Sequence, residues 1–243
     1  MRIPRIHTEQ ALGEGQRVAL EDQAARHVHQ VLRLEPGAPL ILFNGQGGEY
    51  PARIEQATRK GVTALTEAWN PREAESPLQI ELGQGLSRGE RMDYAVQKSV
   101  ELGVLRISPL QTDRCGVRLP PERMAKRQGH WQRVAIAACE QCGRNRVPEV
   151  SPAIGLRDWV GRGEPGSLDL MLMPDGGQAL KTMQPPAGPI RLLIGPEGGL
   201  SDDEVDVAEA AGFQRIQLGP RTLRTETAAV AALAAMQSLW GDG

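Results

Sequence analysis

From residue 78 onward, apolar runs of strand length alternate with segments of helical period, and no other feature constrains the fold so much. "LQIELGQGL", "VLRISPL", "LDLMLMP", "RLLIG" and "FQRIQLG" read as strands. Between them stand "GERMDYAVQKSVELG", with Met92, Val96, Val100 and Gly103 along one side, and a largely helical stretch from Pro121 to Gln141. "SDDEVDVAEAAG" and "TETAAVAALAAMQSLW" complete the helical set. The first of these two has Ser201 as N-cap, Asp202, Asp203 and Glu204 in its first turn, and Gly212 after its end. Strands that are apolar almost throughout must be covered on both faces. The pattern therefore predicts an α/β domain with a buried, mostly parallel sheet between helical layers.

The first seventy residues follow another rule. "RVAL", "PLILF", "EYPARIEQ" and "GVTALTEAW" read as short strands, and "NGQGG" (Asn44–Gly48) as a turn. Only "EDQAARHVHQVLRL" has helical spacing, through Ala24, Val28, Val31 and Leu32. One short helix among several strands predicts a small β-barrel. "NPREAESP", Asn70–Pro77, has the charge and proline content of a linker. The expected division is a barrel over 1–72 and an α/β domain over 73–243.

Composition narrows the function. A chain of 243 residues, 40% hydrophobic and 24% charged, can bury a real core. The net charge of −2 argues against polyanion binding by the whole surface, but 12 Lys/Arg face 6 Asp/Glu between Arg88 and Arg146. From Ser151 to Gly243 the balance is 7 to 12. This local excess suits either a directed anionic contact or a solvated, ion-paired face. Aromatics at 3% exclude an extensive stacking platform for single strands. Cys115, Cys139 and Cys142 suit a reducing compartment. "MRIPRIHTEQ" has no apolar core of signal-peptide length, and the uncharged run Thr227–Gly241 is too short to span a bilayer. A cytoplasmic location is expected.

Three turns carry the chemistry: "MLMPDGG" (Met171–Gly177), "LIGPEGG" (Leu193–Gly199) and "QLGPRTLRTET" (Gln217–Thr227). In each, Gly or Pro follows the strand directly, so the backbone turns sharply at the carboxyl edge of the sheet, where ligands of such folds sit. None matches a phosphate loop or a dinucleotide fingerprint. Pro196 has no N–H to give, and Asp175 and Glu197 would repel a phosphate. A neutral or cationic nucleoside fits better, and S-adenosylmethionine has an adenine, a ribose, a sulfonium and no phosphate.

"LLIGPEGGLSDDEV" and "LGPRTLRTETAAVAAL" resemble two signature motifs of the RsmE family of 16S ribosomal RNA (uridine-N3)-methyltransferases. "QKSVELGV", "DRCGV", "WQRVAIAACEQCGRNRVPEV" and the N-terminal "MRIPRI" extend the resemblance over essentially the whole chain. It implies a SPOUT-type sheet domain with a deep trefoil knot, a PUA-like N-terminal barrel and a homodimer. The implied activity is methylation of N3 of one uridine of 16S rRNA, on the 30S subunit, with S-adenosyl-L-methionine as cofactor. Cofactor contacts then fall on Met173, Pro174, Ile194, Gly195, Pro196, Glu197, Gly198, Gly199, Leu218, Gly219, Leu223 and Arg224. Glu197 has two readings: a polar anchor or charge near the sulfonium, or a cap for Ser201's helix or a loop support.

Uridine N3 is a poor nucleophile until its proton leaves, so the site needs a general base or cations near O2 and O4. Arg224 is the candidate cation, and Glu226 either orients it, acts as base, or merely complements a helix N-terminus. Arg2, Arg5, Lys98, Arg114, Arg118, Arg144 and Arg146 are candidate RNA contacts. Lys98 and Glu101 are also spaced to pair, and Arg144 and Arg146 to complement a helix C-terminus. "CEQC" lies inside a predicted helix without a second pair, and His7, His27, His29 and His130 lack zinc-ligand spacing, so no metal is expected. A ribose 2′-O-methyltransferase of the same superfamily and a non-enzymatic ribosome-assembly factor are the alternatives. The alanine-rich last helix suits close packing in the interior or at a subunit interface.

Overall fold

The computed structural model describes residues 3–117, 119–163 and 165–243. The chain divides into two units: residues up to Glu75 with Cys139–Val147, and Ser76–Ala138 with Pro148–Gly243.

The first unit carries β1 (Arg5–His7), β2 (Arg17–Ala19), α1 (Asp22–Arg26), β3 (Pro39–Phe43), β4 (Tyr50–Thr58) and β5 (Gly61–Thr66). They form one sheet in the order β1-β3-β4-β5-β2, with β1 parallel to β3 and the other pairs antiparallel. Ile6 and Val18, on the two edge strands, bury themselves in a single cluster with Leu40, Leu42, Ile54, Val62 and Ala64. Edge residues share a core only where a sheet rolls upon itself. The expected helix is α-helical only as far as Arg26 and continues as a π-helical turn, His27–Val31. Its Val28 stays in the core, while Val31 is exposed.

The segment read as a linker is instead pinned to this unit. Asn70 bridges to Glu49 through both backbone bonds, and Arg72 donates to the carbonyl of Gly143 at 3.0 Å. Glu73 accepts from the amide of Gly48 at 2.7 Å. Glu75 accepts from the side chain of Arg144 and from the amides of Asn145 and Arg146. Its charged residues are satisfied by specific partners, which composition could not show.

The second unit holds β6 (Ile80–Gly85), α2 (Glu90–Glu101), β7 (Arg106–Gln111), most of α3 (Pro121–Cys142), β8 (Glu149–Val150), β9 (Ile154–Gly155) and α4 (Leu156–Val160). There follow β10 (Leu168–Leu172), β11 (Gln178–Ala179), β12 (Ile190–Ile194), α5 (Asp202–Ala210), β13 (Gln214–Gln217) and α6 (Thr225–Trp240). The sheet runs β11-β13-β10-β12-β6-β7-β8, with β9 also on β7, and every pairing is parallel. Successive side chains leave a strand on opposite faces. Met171 and Leu193 accordingly pack with Trp159, Val205, Ala208 and Phe213 of the α4 and α5 layer. Their neighbours Leu170 and Leu192 are buried as well, on the face where α6 lies on β6, β12 and α2. Ala228, Ala229 and Ala232 of α6 are buried within the chain, so these small residues serve the fold's interior.

A buried charge stands within this core. Arg191 of β12 pairs with Asp169 at 3.1 Å and donates to the carbonyl of Trp159, and its guanidinium lies over the rings of Trp159 and Phe213.

Candidate functional site

Register sets the site. Leu172 pairs with Ile194 on one side and Ile216 on the other, so the turns after β10, β12 and β13 leave the sheet at one level. They enclose a cleft of about 720 Å³. Met173, Pro174, Ile194, Gly195, Pro196, Glu197, Gly198, Gly199, Leu218, Gly219, Leu223, Arg224 and Glu226 all line it. The structure thus brings together every residue expected to contact the cofactor, while Asp175 of the first turn is not in the lining.

Each turn is fixed from behind. The amide of Met173 donates to Ile216 at 2.9 Å, and Gln217 donates to the carbonyls of Pro174 and Gly219. The Thr225 hydroxyl donates to the carbonyl of Gly195 at 2.6 Å and accepts from Gln84 at 2.9 Å. Gly85 passes so close to the Gly195–Pro196 turn that a Cβ there would stand 2.4 Å from the Pro196 nitrogen. Ser201 caps α5 in a capping box with Glu204, whose other oxygen accepts from the amide of Asp113 at 2.8 Å. The Ser201 hydroxyl donates to Asp113, so the "DRCGV" loop is tied to the same helix start.

The carboxylate in the capping box of α5 is therefore that of Glu204, and Glu197 has other partners. Glu197 accepts from the amide of Arg88 at 3.0 Å and from the Arg91 guanidinium at 2.8 Å. Burial pushes its carboxyl up, but the amides of Arg88 and of Glu197 itself, with Arg91, outweigh burial and hold it below the ordinary carboxylate range. These bonds tie the turn after β12 to the start of α2, and Glu197 also lines the cleft. Arg91 also approaches Glu226 to 4.0 Å. One oxygen of Glu226, Oε2, is buried and has no hydrogen-bond partner among the described residues. Arg221 and Arg224 line the cleft with exposed side chains, and neither has an ion pair among the described residues.

Sequence reasoning missed Arg91 and Arg221. Arg91 carried a usable signal: a cation in the first turn of a helix opposes the helix dipole and needs another reason to be there.

Of the basic candidates for RNA, only some are placed to reach a polyanion. Arg5 is buried and pairs with Glu49 and Asn145, while Arg144 is buried and pairs with Glu75. Both charges are matched inside the fold. Lys98 binds Glu101 at 2.9 Å, the pairing its spacing allowed. Arg146 is exposed, and Arg114 lines the cleft, 3.9 Å from Asp202. Arg2 and Arg118 lie outside the described residues.

Cys139 is buried at the end of α3, and burial pushes its thiol up to about 12, far from thiolate reactivity. Among the described residues no cluster of His, Cys, Asp and Glu is arranged to hold a metal ion, and no helix is long and apolar enough to cross a membrane.

Comparison with known proteins agrees with this geometry. The RNA methyltransferase domain family matches residues 74–237, and the RNA methyltransferase PUA domain family matches residues 20–67. The ribosomal RNA small subunit methyltransferase E of Buchnera aphidicola (subsp. Schizaphis graminum) is 34% identical over 99% of this chain and 98% of its own. The Bacillus subtilis protein of that name is 27% identical over 94% of this chain and 93% of its own. Among solved structures, a ribosomal RNA small subunit methyltransferase E of Neisseria gonorrhoeae bound to S-adenosyl methionine is 42% identical, with a TM-score of 0.93 over 99% of both chains. A Legionella pneumophila protein in complex with the cofactor SAM is also 42% identical, with a TM-score of 0.96 over the full length of both. The fold is thus the α/β SPOUT-type domain with an N-terminal PUA module that the motifs led one to expect. The chain belongs to the ribosomal RNA small subunit methyltransferase E family.

Proposed function

We propose that this protein transfers a methyl group from S-adenosyl-L-methionine to N3 of a specific uridine in 16S rRNA, on the 30S subunit. One observation carries the reading: three turns at one sheet edge form a single cleft lined by main chain, apolar side chains and charged side chains of both signs. The cleft's size is that of a nucleoside-scale ligand site. Leu172, Met173, Ile194, Leu218, Leu223 and Val205 give it apolar surface, and the carboxylates Glu197, Asp202 and Glu226 share its rim with Arg91, Arg114, Arg221 and Arg224. The apolar surface suits the rings of a nucleoside, and Pro196 withholds an amide that a phosphate loop would use. The two SAM-bound relatives support the choice of cofactor.

When bound, the cofactor supplies an activated methyl group. The chain's own residues have the remaining tasks. The 194–199 and 218–224 turns hold and orient the cofactor, so the reacting groups meet in line. Arg224 faces the cleft as an unpaired cation able to stabilise negative charge on the uracil oxygens. Glu226, which lines the cleft, offers a carboxylate as acceptor for the N3 proton.

The same reading assigns 1–72 to an RNA-binding module and 73–243 to the catalytic domain, and it places the protein in the cytoplasm as a homodimer. It also includes the trefoil knot. The sheet order supports this: β13 lies beyond β10, yet Thr225, which follows the 218–224 turn, bonds back to the turn after β12.

The test is incubation with labelled cofactor and, separately, 16S RNA, 30S particles and 70S ribosomes, followed by mapping of the modified nucleotide. Label at N3 of one uridine in 30S particles is expected. Label on a ribose, or failure to bind S-adenosylmethionine in calorimetry, overturns the proposal.

A further inference from the structure

A buried carboxylate oxygen with no donor costs free energy that a stable fold avoids unless the oxygen has a later use. Glu226 has one. Its side chain is only 14% exposed, its Oε2 is unpartnered among the described residues, and it lines the cleft. Its other oxygen faces Arg91 at 4.0 Å. The same guanidinium, from the first turn of α2, donates to Glu197 of the β12 turn at 2.8 Å. Arg91 therefore stands between two carboxylates supplied by two different chain segments.

We infer that Arg91 is a positioning residue for the methyl transfer: its guanidinium, bonded to Glu197 of the β12 turn and 4.0 Å from Oε1 of Glu226, fixes the place of the Glu226 carboxylate at the cleft wall, where that carboxylate accepts the nucleobase proton. This inference rests on the methyltransferase reading and goes beyond it. In the step Arg91 serves, the proton passes from N3 to the Glu226 carboxylate and the N–H electron pair remains on nitrogen. The carboxylate becomes a neutral acid, and its attraction to Arg91 weakens accordingly. Arg224 does not share this role: it has no ion pair among the described residues, whereas Arg91 stands beside both carboxylates. The charged groups lining the cleft with Glu226 are Arg91, Glu197, Arg114, Asp202, Arg221 and Arg224.

The test compares wild type, Arg91→Gln, Arg91→Met, Arg91→Lys and Glu226→Gln in single-turnover methylation of 30S particles at saturating cofactor, with calorimetry of S-adenosylmethionine separating cofactor binding from turnover. Loss of orientation in Arg91→Gln or Arg91→Met should slow the single turnover roughly tenfold or more. Arg91→Lys keeps the charge and should recover most of the rate.

An unchanged turnover in the neutral variants, or equal slowing by Gln and Lys, overturns the role of Arg91 while leaving the methyltransferase reading intact. Full activity of Glu226→Gln removes the acceptor and the inference with it. Absence of any methylation by the wild type is the failure of the underlying reading.

Discussion

Substituting alanine at two glycines should move stability in opposite directions. At Gly85 a Cβ would sit 2.4 Å from the Pro196 nitrogen, 2.7 Å from its Cδ and 2.8 Å from the Gly195 carbonyl carbon. All three atoms belong to the backbone or a rigid ring, so relief requires moving the turn itself. Overpacking of this kind costs about 1–3 kcal/mol. For a chain of this size that is a fall in Tm of roughly 2–12 °C. The shift displaces the wall of the cleft, so calorimetry should show weaker S-adenosylmethionine binding as well. Gly129, inside α3, has nothing within 4 Å of its Cβ position. There Gly129→Ala removes only the entropic penalty of glycine in a helix and should stabilise by about 0.5–1 kcal/mol, a rise of roughly 1–4 °C, without altering cofactor affinity. Thermal unfolding of both variants in one buffer decides the matter. A Gly85→Ala protein with wild-type Tm and affinity would show that the approach of β6 to the Pro196 turn does not shape the cleft.

Further outcomes follow from single contacts. Arg191→Leu should cost about 3–5 kcal/mol in urea unfolding, because Asp169 is left buried without its cation; a loss below about 1 kcal/mol refutes the pairing's role. Glu197 has its folded-state pKa below the unfolded value, so its contribution is complete above the unfolded carboxylate pKa and is lost as pH falls through the lower, folded one. Wild type should accordingly lose more Tm than Glu197→Gln between neutral pH and that acidic range, and parallel curves would contradict it. Arg224→Ala should slow methylation roughly 10²-fold at saturating RNA and cofactor, and an unchanged rate excludes it from catalysis. In RNA-binding titrations, Arg114→Ala should lower the salt slope by about one, whereas Lys98→Ala should leave it unchanged, since that ammonium is held by Glu101.

The long strands β6, β7, β10, β12 and β13, the helices α2, α3, α5 and α6 and the three turns could be read from the chain because their causes are local, whereas the short β8, β9, β11 and α4 were not. Apolar period and a Gly or Pro directly after a strand act within a few residues. Parallel register then did the rest, aligning Leu172, Ile194 and Ile216. What escaped depends on distant partners. Arg5 is matched by Glu49 and Asn145, and Arg144 by Glu75 at a separation of 69 residues, so both were indistinguishable from arginines awaiting a phosphate. The charged stretch 70–75 resembles a linker by composition and is pinned by bonds to Gly48, Gly143 and Asn145. In the first unit the π-helical turn after Arg26 keeps Val28 in the core and releases Val31, a change of pitch that helical spacing alone does not announce.

The hydroxyl of Thr225 on the carbonyl of Gly195 has a consequence for biosynthesis. During translation the segments that furnish two walls of the cleft emerge early, yet the third wall and its fastening belong to residues 218–226. A nascent or truncated chain ending at Gln217 keeps every strand from β1 to β13 among the described residues but lacks a closed binding site. Capture of the methyl donor thus becomes a property of finished molecules, and added cofactor should protect complete chains, and not such fragments, against proteolysis.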